Sequence, residues 1–375
     1  MKLFFVAGEA SGDRHAADLI QALTQKNPSL QVTALGGPKM QAAGATLIYD
    51  LTSDAVVGLV EVIRHLPKFH RIFNHAIRTI EADRPDAVVL VDYPGFNLRF
   101  AKEMKRRGIK VIYYISPQIW AWGKERLSTI RDTVDLMLVF FPFEEEMYKK
   151  EGVPALWVGH PLLDQVKVTQ SAEEALAPFG GTTDQQPIAL LPGSRSGEIR
   201  TLLPILKATA EQMAKALGNV RFFVMQAPGI PTSVYQEILG SSQANVTLVP
   251  QWDDNILSAC RLGIVASGTS TLECALLGLP MVIVYKTNPI TWWLGKRLVK
   301  LPYIGLVNIL AGKHLIPECL QNEATPDRIA SQAARILKSE SEIYQLKEGL
   351  RSIKEGLGQP GAPTRAAQSI LALLK

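Results

Sequence analysis

Several short stretches carry side chains that could do chemistry. In "DAVVLVDYPGFN" an apolar run ends in Asp92, followed by Tyr93, Pro94 and Gly95. A carboxylate at the end of a buried strand is partly desolvated, which suits a general base; the competing reading is a turn former before Pro-Gly. In "IALLPGSRSGEI" a similar run leads into Pro192, Gly193, Ser194 and Arg195, then into a helical pattern containing Glu198. Glycine lets backbone approach a ligand closely, and arginine offers a planar fork for phosphate oxygens. In "GIVASGTSTLECALLGLP", Ser267, Gly268, Thr269 and Ser270 form a hydroxyl-rich turn that opens a helix, an anion cradle without a Walker lysine. Glu273 falls one helical turn after Thr269; it could accept bonds from ribose hydroxyls or simply favour the helix dipole.

Three further stretches are less specific. "LFFVAGEASGD" resembles a nucleotide-binding turn but lacks G-x-G-x-x-G spacing; its candidates are Gly8, Glu9, Ser11, Gly12 and Asp13. "YYISPQIWAWGKERL" places Gln118 and Trp120 after a strand, where a tryptophan could stack on a sugar or fill a core. Asn308 in "GLVNILAG" is a polar group in an apolar setting and needs a partner.

The elements that must position these groups alternate along nearly the whole chain. Short runs rich in Val, Ile and Phe, from "KLFFVA" to "MVIVYK", are separated by helical patterns, the signature of βα units and parallel sheets. With 375 residues the chain exceeds what one core usually supports. The pattern predicts an α/β protein of two Rossmann-like doubly wound domains, residues 1–180 and 181–339, with helices over 340–375. The last helix could return to the first domain. The polar stretch "VKVTQSAEEALAPFGGTTDQQP" reads as the linker. In such folds ligands bind at the carboxyl ends of strands, here expected in a cleft between the domains.

Bulk properties exclude other classes. Cys260, Cys274 and Cys319 are odd in number and widely spaced, so neither a disulfide framework nor a zinc cluster is expected. His65, His70 and His75 recur every five residues, which scatters them around a helix; no metal and no cofactor are expected. No run approaches the ~20 apolar residues of a bilayer span, and acids directly after the first strand do not suit a secretory signal. The net charge of +5 matters only where it is concentrated, and the candidate clusters are "IRHLPKFHRI" and "WWLGKRLVKL", where basic residues are threaded with apolar ones. For the first cluster an anionic lipid surface and a half-buried basic helix face stay open, while the second reads as an ordinary half-buried face; a nucleic acid suits neither.

As a set, "GEASGD", "SPQIWAW", "LLPGSR" with Glu198, "SGTSTLE" and "LVNILAG" resemble the lipid-A-disaccharide synthase family, in that family's order and across both domains. The resemblance implies a glycosyltransferase B-type fold, with UDP held by the second domain and the acceptor by the first. It implies an inverting enzyme joining UDP-2,3-diacylglucosamine to 2,3-diacylglucosamine 1-phosphate through a β(1→6) linkage, with release of UDP. Asp92 then inherits the part of catalytic base, Arg195 that of phosphate ligand, Glu273 that of donor-site carboxylate and Asn308 that of polar site residue. The opening turn becomes acceptor-side, with Ser11 and Asp13 facing the acyl-sugar or the diphosphate. A cytoplasmic enzyme resting on the inner membrane is implied, with Val56, Val57, Leu59, Val60, Val62, Ile63 and Leu66 as the apolar patch; a homodimer is a further expectation. The rival readings are a transferase for another lipid acceptor, a UDP-sugar epimerase on the same fold, and a UDP-sugar sensor without turnover.

Overall fold

The computed structural model describes residues 1–54, 59–182, 184–240, 242–289, 292, 293, 297 and 301–375, with backbone only for 54 and 59–66. The expected patch residues Val56 to Leu66 therefore lie outside the described side chains. The chain divides into two compact units, Met1–Asp164 with Leu357–Lys375, and Gln165–Gly356.

The first unit is built on seven strands: β1 (Lys2–Ala7), β2 (Gln31–Gly36), β3 (Thr46–Asp50), β4 (Ala87–Val91), β5 (Lys110–Tyr114), β6 (Leu136–Val139) and β7 (Ala155–Trp157). They pair in the order β3-β2-β1-β4-β5-β6-β7, all parallel. Helices α1 (Ala10–Lys26), α2 (Pro38–Ala42), α3 (Leu59–Asp83), α4 (Pro94–Arg106), α5 (Arg126–Thr133), α6 (Pro142–Lys150) and α7 (Leu162–Gln165) follow in turn. Helices cover both faces, and the central strand β4 is apolar along its length, with every residue buried. Phe4, Val88, Phe100 and Tyr113 pack in one core layer, and Phe5, Leu19, Val89 and Tyr114 in the other.

The second unit has α8 (Ala172–Leu176), β8 (Gln186–Leu191), α9 (Ser196–Leu217), β9 (Val220–Met225), α10 (Thr232–Leu239), β10 (Val246–Val249), α11 (Asp254–Ala259), β11 (Leu262–Ala266), α12 (Thr269–Leu276), β12 (Met281–Tyr285), α13 (Leu306–Ala311), β13 (Glu318–Leu320), α14 (Pro326–Leu337) and α15 (Glu340–Gly356). Its sheet is also parallel, in the order β10-β9-β8-β11-β12-β13. The three-residue β13 escapes sequence reading because Glu318 and the polar residues after Leu320 leave no apolar run.

The stretch expected as a linker is ordered within the second unit. The backbone N–H groups of Thr169 and Gln170 donate to Asn255 Oδ1, Lys167 N–H donates to Asp254, and Ser171 with Glu174 forms a capping box that starts α8. The tail divides as well: α15 belongs to the second unit, whereas α16 (Ala362–Leu373) lies along α1 in the first. Asp164 accepts bonds from the N–H groups of Gly361 and Ala362, fixing the start of α16.

In each sheet the strand order reverses once, between β1 and β4 and between β8 and β11. Strands at such a point send their following helices to opposite faces, leaving a crevice at their carboxyl ends. The turns after β1, β4, β8 and β11 are the ones that carry Gly8 to Asp13, Asp92, Arg195 and Ser267 to Ser270.

Candidate active site

The turn after β4 is tightly constrained. Asp92 and Tyr93 both adopt left-handed backbone, with φ of 47° and 48°. Aspartate tolerates this region; for tyrosine it is an outlier, and such strain costs about 1–3 kcal/mol per residue unless the surroundings enforce it. Tyr113 Oη donates to the Asp92 carbonyl at 2.6 Å, and Asn97 Nδ2 donates to the same oxygen at 2.7 Å and to Val91 O at 3.2 Å. The Tyr93 ring stacks on Phe96 and lies over Gly8, where a Cβ would come within 2.3 Å of ring carbon. The Asp92 carboxyl is pushed up to about 6, first by burial and then by the negative charge of Glu9; a backbone bond from Tyr93 opposes the shift. A base with that value is ionised near neutrality and still holds a proton strongly enough to take one.

The turn after β1 serves this arrangement more than it faces a ligand. Gly8 makes room for Tyr93. Gly12 is buried against Ala7 and Val91, with space for a Cβ at ordinary contact distance. Glu9 and Ser11 are exposed. Asp13, expected to face substrate, is buried here, and its carboxylate accepts from Gly37 N and Lys39 N at 2.9 Å and Met40 N at 3.1 Å. Those are free N–H groups at the start of α2, so Asp13 is consumed in capping that helix.

The loop after β5 is fastened by a residue that sequence reading missed. Glu144 is buried near the start of α6; its Oε1 accepts from Ser116 Oγ at 2.9 Å and Trp120 Nε1 at 3.1 Å, and its Oε2 from Phe141 N at 3.2 Å. Tyr148 Oη donates to Ser116 Oγ at 3.3 Å. Burial outweighs these bonds and raises Glu144 to about 7. In "PFEEEMYKK" three successive glutamates look alike, and only packing distinguishes the buried one. Trp120 is thus a structural anchor through its indole N–H, while Gln118 stays exposed.

In the second unit the turn after β8 is open. Gly193 has φ 113°, and a Cβ there would meet Glu198 Oε2 at 2.6 Å. Glu198 Oε2 accepts from Ser194 N at 3.0 Å and Arg195 N at 3.3 Å, and Oε1 lies 3.3 Å from Arg195 Nη1. Glu198 therefore shapes the turn and orients Arg195 more than it offers itself to a ligand. Ser194 and Arg195 remain exposed. Beside them, the N–H of Ser267 is used by Val284 O in the sheet, whereas Gly268 and Thr269 are exposed at the uncapped start of α12 and nothing lies within 4 Å of a Cβ on Gly268. Ser270 and Glu273 are half-buried on the same helix. An arginine next to such a helix start can take a phosphate.

Asn308 finds the partners it needs within the fold. It is buried, donates Nδ2 to Ile316 O and Glu318 Oε1 at 2.8 Å each, and accepts Ile316 N at 2.8 Å. Glu318 also accepts from Ile304 N and Gly305 N, so this pair ties the segment before α13 to β13. Among the described residues no group of three or more His, Cys, Asp or Glu could hold a metal, and no helix is long and apolar enough to cross a membrane.

Comparison with known proteins follows the same lines. The family model for lipid-A-disaccharide synthetase matches residues 3–370. The lipid-A-disaccharide synthase of Geobacter sulfurreducens is 40% identical over 373 residues, covering 100% of this chain and 97% of that one. That of Myxococcus xanthus is 39% identical with the same coverage. Among solved structures, the UDP-GlcNAc 2-epimerase of Neisseria meningitidis bound to UDP-GlcNAc superposes with a TM-score of 0.61 at 15% identity, covering 100% and 99% of the two chains. A MurG from Acinetobacter baumannii gives 0.59 at 16% identity and 99% of each chain. At these identities the structural likeness speaks for the fold, which is the two-sheet glycosyltransferase B-type architecture expected.

Proposed function

The chain belongs to the lipid-A-disaccharide synthase family of glycosyltransferases, and on that premise we propose that it joins UDP-2,3-diacylglucosamine to 2,3-diacylglucosamine 1-phosphate. The products are the β(1→6)-linked disaccharide 1-phosphate and UDP. The observation that carries this reading is Asp92: a carboxyl raised to about 6, held on strained backbone at the reversal point of the first sheet. The acceptor's 6-hydroxyl must lose a proton as its oxygen attacks C1 of the donor, and Asp92 takes that proton. Attack from the face opposite the departing UDP inverts C1. The leaving diphosphate gains negative charge, which Arg195 and the amides at the start of α12 stabilise more in the transition state than in the ground state. Glu273, half-buried one turn along α12, is assigned to the donor's sugar hydroxyls.

An epimerase on the same fold would need no acceptor, so release of UDP that depends on the acceptor separates the two readings. Mass detection of a tetraacyl disaccharide 1-phosphate from the two purified substrates tests the whole scheme. No product from the wild type would end it, and an unchanged rate for Asp92→Asn would end the assignment of the base.

The acyl chains call for a lipid surface, so the protein is proposed to rest on the cytoplasmic face of the inner membrane through the apolar residues between 56 and 66. Binding to anionic liposomes at low salt, lost with Val60→Ser and Ile63→Ser together, is the expected result. A homodimer is the remaining expectation, and light scattering of the purified protein decides it.

A further inference from the structure

Beyond Trp120 the loop after β5 presents a second aromatic. Trp122 is 43% exposed, and the Arg126 guanidinium carbon lies 4.3 Å from the centre of its ring. Gly123 between them has φ 82°, and a Cβ there would sit 3.4 Å from Arg126 Cδ and Nε. The glycine thus makes a left-handed turn and lets the arginine fold back against it. Among the described residues no carboxylate lies within ion-pair distance of this guanidinium, in contrast to Arg107, which is bound by Glu81 and Glu103.

The fold gains little from a cation at this position. Arg126 is the first residue of α5, and the preceding Glu125 makes no side-chain cap. A positive side chain at the positive end of a helix is opposed by the helix dipole, and stacking on the indole only partly offsets that. A half-buried arginine, fixed by a ring and a turn and with no carboxylate at ion-pair distance among the described residues, is arranged for an external anion. Its fork matches two oxygens of a phosphate, and the exposed Trp122 ring can lie against a sugar.

We propose that Arg126, held on the face of Trp122, binds the phosphate of the sugar 1-phosphate acceptor. This rests on the acceptor reading given above. The donor's diphosphate is assigned to Arg195 and α12 in the second unit, so the acceptor phosphate is the anion left for the first.

The test is equilibrium binding of 2,3-diacylglucosamine 1-phosphate and of its dephosphorylated form to the full-length wild type, Arg126→Gln and Arg126→Lys, with turnover measured in parallel. Arg126→Gln is expected to weaken the phosphorylated ligand roughly 10- to 100-fold and the dephosphorylated one less than about 2-fold. Arg126→Lys, which keeps the charge without the fork, should fall between. Acceptor KM should rise with kcat little changed. Equal losses for both ligands, or no loss, would overturn the proposal, as would a loss of UDP affinity in place of acceptor affinity. Wild type that binds the phosphorylated compound yet forms no disaccharide would refute the reaction while leaving the phosphate site standing. Wild type that binds neither compound refutes the site.

Discussion

The turns after β4 and β8 each border the reversal point of their sheet, on opposite sides of it, and are built in opposite ways. Around Asp92 the backbone is strained, two side chains grip one carbonyl, and the carboxyl is largely removed from water. Around Arg195 a glycine supplies the unusual backbone at no steric cost, one carboxylate shapes the turn, and the guanidinium is left in solvent. A base must be desolvated before substrate arrives, because its affinity for a proton depends on that environment. A phosphate ligand needs only orientation, since the anion itself displaces the water. The two turns therefore show different ways of preparing a side chain for the same reaction.

Breaking each side of that contrast should give different signatures. Asp92→Asn removes the proton acceptor and should lower kcat by about 10²- to 10⁴-fold with little change in either KM. Arg195→Ala should lower kcat about 10²- to 10³-fold and also weaken UDP, which steady-state kinetics with UDP as inhibitor would reveal. If the two variants behaved alike, the division between proton transfer and charge stabilisation would be wrong.

Asp13 provides the control for an acid that is used up inside the fold. Asp13→Ala leaves three N–H groups without their acceptor and should cost about 3–5 kcal/mol in urea unfolding, while the rate per folded molecule stays within about 2-fold. Gly8 and Gly12 sharpen the comparison further. Gly8→Ala drives a methyl into the Tyr93 ring and should lower kcat about 10-fold or more through displacement of Asp92, whereas Gly12→Ala should be nearly silent.

The smallest effects concern pH. The acid limb of kcat/KM is expected near 6, the value held by Asp92, with activity present above it and lost below as the base protonates. Glu9→Gln removes a negative charge that raises that value and should move the limb downward by less than about one unit. Glu144 has a raised folded pKa, about 7, so its contribution to stability is present below the usual carboxylate range and is lost as pH rises through 7. Urea midpoints measured from pH 5 to 8 should show that fall in the wild type and a flatter profile in Glu144→Gln.

Much of the fold was legible because its cause is local. Each sequence-read apolar run became a parallel strand, since a strand buried on both faces has to be apolar along its length. The tail and the stretch after residue 165 were less legible. Their places depend on Asp164, Asp254 and Asn255 reaching backbone far away in sequence.

The strand-end acids and glycines, the arginine after β8 and the hydroxyl-rich turn before α12 were likewise fixed by residue order alone. Which of them stay free for a ligand was decided by tertiary structure. Asp13 and Asp92 both follow a buried strand into a small-residue turn, and their sequences do not separate them. Asp13 meets the open N–H groups of α2, which satisfy its charge within the fold. Asp92 is desolvated and faces the charge of Glu9, and the single backbone bond from Tyr93 does not offset them. Glu144, Glu318 and the partners of Asn308 escaped sequence reading for the same physical reason: a polar side chain's role depends on which donors and acceptors surround it, and those come from segments that only the folded chain brings together.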